Sequence, residues 1–182
     1  MRKPWKKIKS KVIHKNPWYQ LREDDVLRPD GKKGKYYYVD DRGGSAVVAE
    51  DKQGKIYLVG QSRYPADNIF SWEIIMGGFR KGADPLKVAK KELEEEAGVR
   101  AGKWVSLGYC YPNNGIASEI FHIYYARELS PVKTNFEGTE DIIIKKKSPK
   151  EILKMIKKNE ITCGITIFAT AKYLMYKNKI KL

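Results

Sequence analysis

The chain has 182 residues, 42% hydrophobic and 32% charged, and 36 Lys and Arg against 22 Asp and Glu leave a formal net charge of +14. That length suits one soluble domain with a sizeable core, and the lack of any run of eighteen apolar residues, or of a cleavable apolar segment behind a basic start, speaks against a membrane partner. Cys110 and Cys163 have neither metal nor redox spacing, so ordinary thiols in a reducing, cytoplasmic setting are expected.

In chain order, residues 1–40 read as an appendage of strands, SKVIHKN, WYQLREDDVLRP and KYYYVD, with PDGKKGK as turn chemistry between the last two. Residues 41–182 read as the main domain. Its first segment, SAVVAEDKQGKIYLVGQSRY, predicts a hairpin of two apolar runs around a DKQG turn, the second run ending at Gln61, Ser62 and Arg63. SWEII then predicts a strand that runs into a glycine-bearing loop. Asp84 as N-cap, Pro85 as first residue and Gly98 as a left-handed C-terminal residue bound a helix, with Leu86, Ala89, Leu93 and Ala97 as its apolar stripe. KWVSLGYC and EIFHIYYARE predict strands around the polar loop YPNNGIAS, and Asp141 to Lys146 a further short strand. Ser148, Pro149 and Glu151 carry the signature of a capped helix to about Lys158. A last helix from about Thr166 would show Phe168, Ala171, Leu174 and Met175 on one side.

The informative stretch is MGGFRKGADPLKVAKKELEEEAGV, Met76 to Val99. Glu92, Glu95 and Glu96 stand at i, i+3 and i+4, neighbours on a helix surface, and their mutual repulsion calls for a cation; a hard divalent ion such as Mg²⁺ answers it. A solvated acidic face is the competing reading of such a helix. From Gly77 to Val99 the stretch resembles the Nudix hydrolase box. Lys91 stands in its Arg position, Glu92 follows, Glu95 and Glu96 are the acidic pair, and Gly98 closes it. Ala83 takes the place of the first Glu, so the supporting residues differ while the three glutamates remain.

The resemblance implies a mixed-sheet α/β/α sandwich preceded by the β appendage. Periodicity alone is only compatible with that architecture. QSRYP with WEIIMGG, although Ile75 and Met76 depart from the usual Pro and Ala, together with NGIASE, TEDI and NEITCGIT, resembles the branch that hydrolyses ADP-ribose and nucleoside diphosphate sugars. What the resemblance implies is a Mg²⁺ site, with Mn²⁺ as a substitute, held by Glu92, Glu96, Glu95 and the carbonyl of Met76. It also implies a general base from a later loop: Glu140 first, then Glu137, with Glu119 third and Glu95 if none of these serves. Arg63 is a candidate phosphate clamp, since a guanidinium grips two oxygens at once, and a surface arginine otherwise. Glu73 would orient Arg63 or a water, or form a structural ion pair. Trp18 and Tyr19 are candidate base-stacking contacts, and the branch's N-terminal strands imply a homodimer. His122 in FHIYY reads as a strand histidine.

Two alternatives stay open: an RNA 5′ pyrophosphohydrolase and a nucleotide-binding sensor without catalysis. The charge favours the first. Its lysines, however, crowd MRKPWKKIKSK, Lys145 to Lys158 and the C-terminus without the aromatic interleaving of an RNA-binding motif, and point rather to a basic surface that draws in a pyrophosphate. The retained glutamates count against the second.

Overall fold

The computed structural model describes residues 4–79, 82–132 and 142–178, which fall into two compact units. The first takes in residues up to Gly43 together with Tyr111–Ile120. Its strands β1 (Lys6–Lys15), β2 (Gln20–Leu27) and β3 (Lys33–Asp40) form an antiparallel sheet in chain order. Asn16 turns β1 into β2, its side-chain oxygen accepting from the backbone N–H groups of Trp18 and Tyr19, each at 2.9 Å. Gly31, at φ +84°, closes the next turn. Residues 111–120 attach to β3 through Val39 N–H to Ile116 O, 2.8 Å, and Ser118 N–H to Val39 O, 2.9 Å.

The second unit, Gly44–Cys110 with Phe121 onward, contains two sheets. One runs β7-β4-β9-β8, from β4 (Gly44–Ala49), β7 (Ile75–Gly78), β8 (Val99–Cys110) and β9 (Phe121–Pro131), with β4 and β9 parallel. The other runs β10-β5-β6, from β5 (Ile56–Arg63), β6 (Ile69–Glu73) and β10 (Ile143–Lys147). Alternation along the strands builds two cores. Val47, Ala49, Tyr57, Val59 and Ile75 pack with Ala89, Leu93 and Ala97 of α1 (Pro85–Ala97). Ala46, Val48, Ile56, Leu58 and Ile74 pack with Ile152 and Met155 of α2 (Pro149–Lys157) and Ala169, Tyr173 and Leu174 of α3 (Gly164–Tyr176). Helices thus cover opposite faces of the strands in a three-layer α/β/α sandwich with a mixed sheet. No helix among the described residues is long and apolar enough to cross a membrane.

The helix boundaries follow their local chemistry. Asp84 accepts from Leu86 N–H at 2.9 Å, Pro85 opens α1, and Gly98 ends it at φ +62° with its N–H on Glu94 O at 3.1 Å. Ser148 and Glu151 form the reciprocal cap of α2.

Three local expectations change. The predicted hairpin forms its turn, with Asp51 N–H to Lys55 O at 2.8 Å and Gly54 N–H to Asp51 O at 3.0 Å, but beyond the bridge Glu50↔Ile56 its strands enter different sheets. Both edges of β4 are already taken, by β7 and β9, so β5 pairs elsewhere. SWEII is likewise two strands: Glu73 pairs with Val59, Ile75 pairs with Val47, and Ile74 between them gives its N–H to Thr166 Oγ1 at 3.2 Å. In α3 the buried side is Thr166, Ala169, Thr170, Tyr173 and Leu174, whereas Met175 is exposed. Its polar members can be buried because each is satisfied, Thr170 Oγ1 by Thr166 O at 2.8 Å and the Tyr173 hydroxyl by Glu50 at 2.8 Å.

Candidate active site

The sheet switch between β6 and β7 sets up the site, because it places Glu73 and the Met76–Gly77 segment within four residues of each other on strands of two sheets. Over β7 lies the acidic side of α1. The Glu92 carboxyl group fills the space that a side chain at position 77 would need: a Cβ built on Gly77 would collide with it. Glu96 is buried and accepts from the Met76 N–H at 3.3 Å. β7 is an edge strand of its sheet, and the N–H and C=O of one extended residue point to the same side. The Met76 carbonyl therefore faces the same open edge as the N–H that meets Glu96. Glu95 pairs with Lys91 at 2.7 Å. So the structure gathers Glu92 and Glu96 around Met76–Gly77 and sets Glu95 beside the lysine that replaces the box arginine. Among the described residues no three acidic, histidine or cysteine side chains converge as a ready-made metal cage.

On the same face as α1, Glu73 is buried and holds Arg63 in a fork, Arg63 Nη2 to Oε2 at 2.6 Å and Nε to Oε1 at 3.4 Å, while Gln61 Nε2 reaches Oε2 at 3.2 Å. Burial acts to lower the Arg63 pKa, but the contacts to Glu73, with smaller contributions from Cys163 and Glu96, raise it. Glu73 is ion-paired to Arg63, a geometry shared by a carboxylate that orients Arg63 and by a structural ion pair. About half of the Arg63 side chain remains open to solvent, with guanidinium edges available to an anion.

The remaining candidates are distributed as follows. Trp18 and Tyr19 are exposed at the β1–β2 turn of the first unit, Trp18 at 70%. Glu119, in the same unit, is half-buried, and burial, then the nearby Asp41, push its carboxyl pKa up. Glu137 and Glu140 lie outside the described residues. His122, read from sequence as a plain strand histidine, stands on β9 between the rings of Phe79 and Tyr109, at centroid distances of 6.1 and 6.2 Å. Only the strand register, invisible to local periodicity, could have linked it to this face.

A model of the NUDIX domain matches residues 41–158, well over half of the chain. This chain belongs to the Nudix hydrolase family. The part of this Nudix hydrolase ahead of that match, residues 5–39, fits the model of the nucleoside diphosphate sugar hydrolase N-terminal domain. Among similar proteins, an ADP-ribose pyrophosphatase of Bacillus subtilis (strain 168) is 33% identical over 97% of this chain and 95% of its own length. The methanol dehydrogenase activator of Bacillus methanolicus shows the same identity and coverage. The crystal structure of an ADP compounds hydrolase aligns over 99% of both chains with a TM-score of 0.83 at 13% identity, a likeness of fold.

Nudix hydrolases work with divalent metal ions, and the donor set here suits one. Two carboxylates and an edge carbonyl are hard oxygen donors, and Gly77 gives one carboxylate room to sit against the strand. Such a ligand number suits an ion that keeps several waters.

Proposed function

We propose that the protein hydrolyses the pyrophosphate bond of ADP-ribose or a nucleoside diphosphate sugar in a Mg²⁺-dependent reaction, with Mn²⁺ as a substitute, releasing a nucleoside monophosphate and a sugar phosphate. The observation that carries this reading is the grouping of Glu92 and Glu96 on Met76–Gly77, on the face that also presents the Glu73-held Arg63. Similarity along nearly the whole chain to an ADP-ribose pyrophosphatase supports the substrate class.

In this reading Glu92, Glu96 and the Met76 carbonyl hold the ion, with Glu95 as a further ligand once it leaves Lys91. The bound ion would neutralise diphosphate charge and acidify the attacking water. Arg63 grips a phosphate oxygen and stabilises the charge that builds during displacement; Glu73 fixes its fork. Water attacks one phosphorus, the bond to the bridging oxygen breaks, and the water's proton passes to a carboxylate. We assign that base to Glu140, with Glu137 next, Glu119 third and Glu95 as the remaining choice.

Residues 1–40 act as the appendage of a homodimer and residues 41–182 as the catalytic domain. Exposed Ile8, Val12 and Ile13 on β1, an edge strand, support a partner on that sheet, and Trp18 and Tyr19 serve as substrate contacts at its turn. The working compartment is the cytoplasm.

The test is Glu96→Gln, which keeps the side-chain shape and removes the charge. Turnover of ADP-ribose at saturating Mg²⁺, followed by chromatography of the products, should be nearly abolished while the circular dichroism spectrum is retained. Unimpaired turnover would refute the metal assignment. Faster conversion of 5′-triphosphorylated RNA than of ADP-ribose, with binding that weakens steeply in salt, would move the substrate to RNA.

A further inference from the structure

A second cleft opens in the same unit as the candidate active site, at the far end of β4. Ala46 pairs with Met76 on β7, and Glu50, four residues further along β4, lines the cleft. At about 3.3 Å per strand residue, that separation is roughly 13 Å. The cleft has a volume of about 650 Å³, within the usual range for small-molecule sites. Its walls come from the β4–β5 turn (Lys52 and Gly54), the end of β9 (Arg127 and Leu129) and Lys177, which ends α3.

The carboxylates that line it are already answered. Glu50 takes Lys177 Nζ at 3.0 Å, together with the hydroxyls of Tyr125 and Tyr173. Asp51 faces Lys146 at 3.6 Å and accepts the N–H groups of Gln53 and Lys55 at 3.0 and 2.9 Å. Glu128 pairs with Lys103 at 2.7 Å. Lys177 is itself committed, since its ammonium also reaches the Tyr125 hydroxyl at 3.4 Å. Two cations remain on the cleft, Arg127 and Lys52, and neither has an ion pair among the described residues.

The backbone keeps Arg127 in that state. Lys103 stands directly opposite it in the β8–β9 ladder, and like charges so placed repel. The carboxylate next along the chain does not neutralise Arg127. Glu128 adopts φ +60°, a left-handed conformation rare for a residue with a side chain, and turns its carboxyl group to Lys103 across Gly102. A Cβ on Gly102 would come within 3.3 Å of Glu128 Oε2. Strained backbone of this kind gathers at ligand clamps. Arg127 on β9 and Lys52 in the turn thus face one cleft from two separate elements, each with an unanswered positive charge.

We propose that this cleft binds a small phosphate monoester: the Arg127 guanidinium grips two phosphate oxygens, Lys52 meets a third, and the organic part lies along Leu129 and Gly54. Such an ester carries about −1.5 to −2 charge at pH 7, which offsets the two cations. A carboxylate would leave one of them unanswered, and a phosphate without its organic part would fill little of the cleft. The site stands apart from the one that carries the pyrophosphatase reading, although both products of that reaction belong to this ligand class. An occupant joins β9 to the β4–β5 turn and so stabilises the fold by mass action.

The experiment uses the full chain carrying Arg63→Ala, which removes the proposed phosphate clamp of the catalytic site, in EDTA. Binding of ribose 5-phosphate, AMP, inorganic phosphate and adenosine is followed by titration calorimetry and by thermal melts. Ribose 5-phosphate and AMP should bind and raise Tm. Adding Arg127→Ala or Lys52→Ala should weaken both by roughly tenfold or more, as loss of a hydrogen bond to a charged group does. Arg127→Lys should recover only part of the affinity, because the fork is gone. Tighter binding of AMP than of ribose 5-phosphate would identify the ligand as a nucleoside monophosphate, and equal binding as a sugar phosphate. In an otherwise wild-type chain Arg127→Ala should leave kcat and KM for ADP-ribose in Mg²⁺ near wild type. The proposal is overturned if neither ester binds, if both alanine variants leave the affinities unmoved, or if adenosine binds as tightly as AMP. Inorganic phosphate held as tightly as the esters, or a kcat loss in Arg127→Ala, would overturn it as well.

Discussion

Glu73→Gln isolates what the buried carboxylate does for Arg63. The Glu73 side chain is 6% exposed and makes three contacts, two to the guanidinium and one to Gln61. An amide in its place keeps the volume but turns one oxygen into a donor facing other donors, so at least one Arg63 contact is lost. Hydrogen bonds to charged groups contribute about 1.5–3 kcal/mol. If that ordering is expressed only when Arg63 meets developing phosphoryl charge, kcat/KM should fall about 10- to 100-fold. The assay is a double-mutant cycle with Arg63→Ala, read as kcat/KM for ADP-ribose. Since Glu73 acts through Arg63, adding Glu73→Gln to Arg63→Ala should cost little more. A single variant within about twofold of wild type, or losses that simply add, would refute the reasoning.

Two further outcomes follow from the same geometry. Gly77→Ala puts a methyl group where the Glu92 carboxyl sits, and because that group is the mobile end of a long side chain the fold should survive; thermal melts should shift little while Mg²⁺-dependent turnover falls at least tenfold. Normal turnover would remove Glu92 from the metal site. Glu50, buried at the end of β4, accepts from the hydroxyls of Tyr125 and Tyr173 and from Lys177 Nζ at 3.0 Å. Its burial acts to raise the carboxyl pKa, yet those hydrogen bonds outweigh it and the pKa is lowered. A depressed carboxyl pKa stabilises the fold above the unfolded value, about 4.3, and that contribution is lost as pH falls through the folded value. Glu50→Gln should therefore lower Tm at pH 7 by several degrees, on the order of 2–4 °C per kcal/mol, with the gap to wild type closing as the pH drops below about 4. A gap that stayed constant with pH would assign the effect to packing rather than to charge.

The sequence by itself determined what depends on neighbouring residues. The cap and end of α1 at Asp84 and Gly98, the reciprocal cap of α2, and the i, i+3, i+4 spacing of Glu92, Glu95 and Glu96 are short-range properties, since side chains meet their own backbone or the next helical turn. The box glycine was legible as a position. Its purpose, a seat for the Glu92 carboxylate, required β7 to arrive beneath the helix.

Tertiary structure alone decided the partners. The two runs around the DKQG turn carry a hairpin pattern, and they separate because β4 is already paired on both edges. Thr166 and Tyr173 look too polar for the buried side of α3, and they occupy it because Ile74 N–H and Glu50 await them from residues remote in the chain. Tyr109 falls on the face opposite to the one simple alternation assigns, owing to one bulge at Gly108, and its meeting with His122 depends on strands brought into register from separate parts of the chain. Periodicity reports which side of an element is buried; it carries no term for which element supplies the neighbour, because that choice is made by the pairing of strand edges and the satisfaction of buried polar groups.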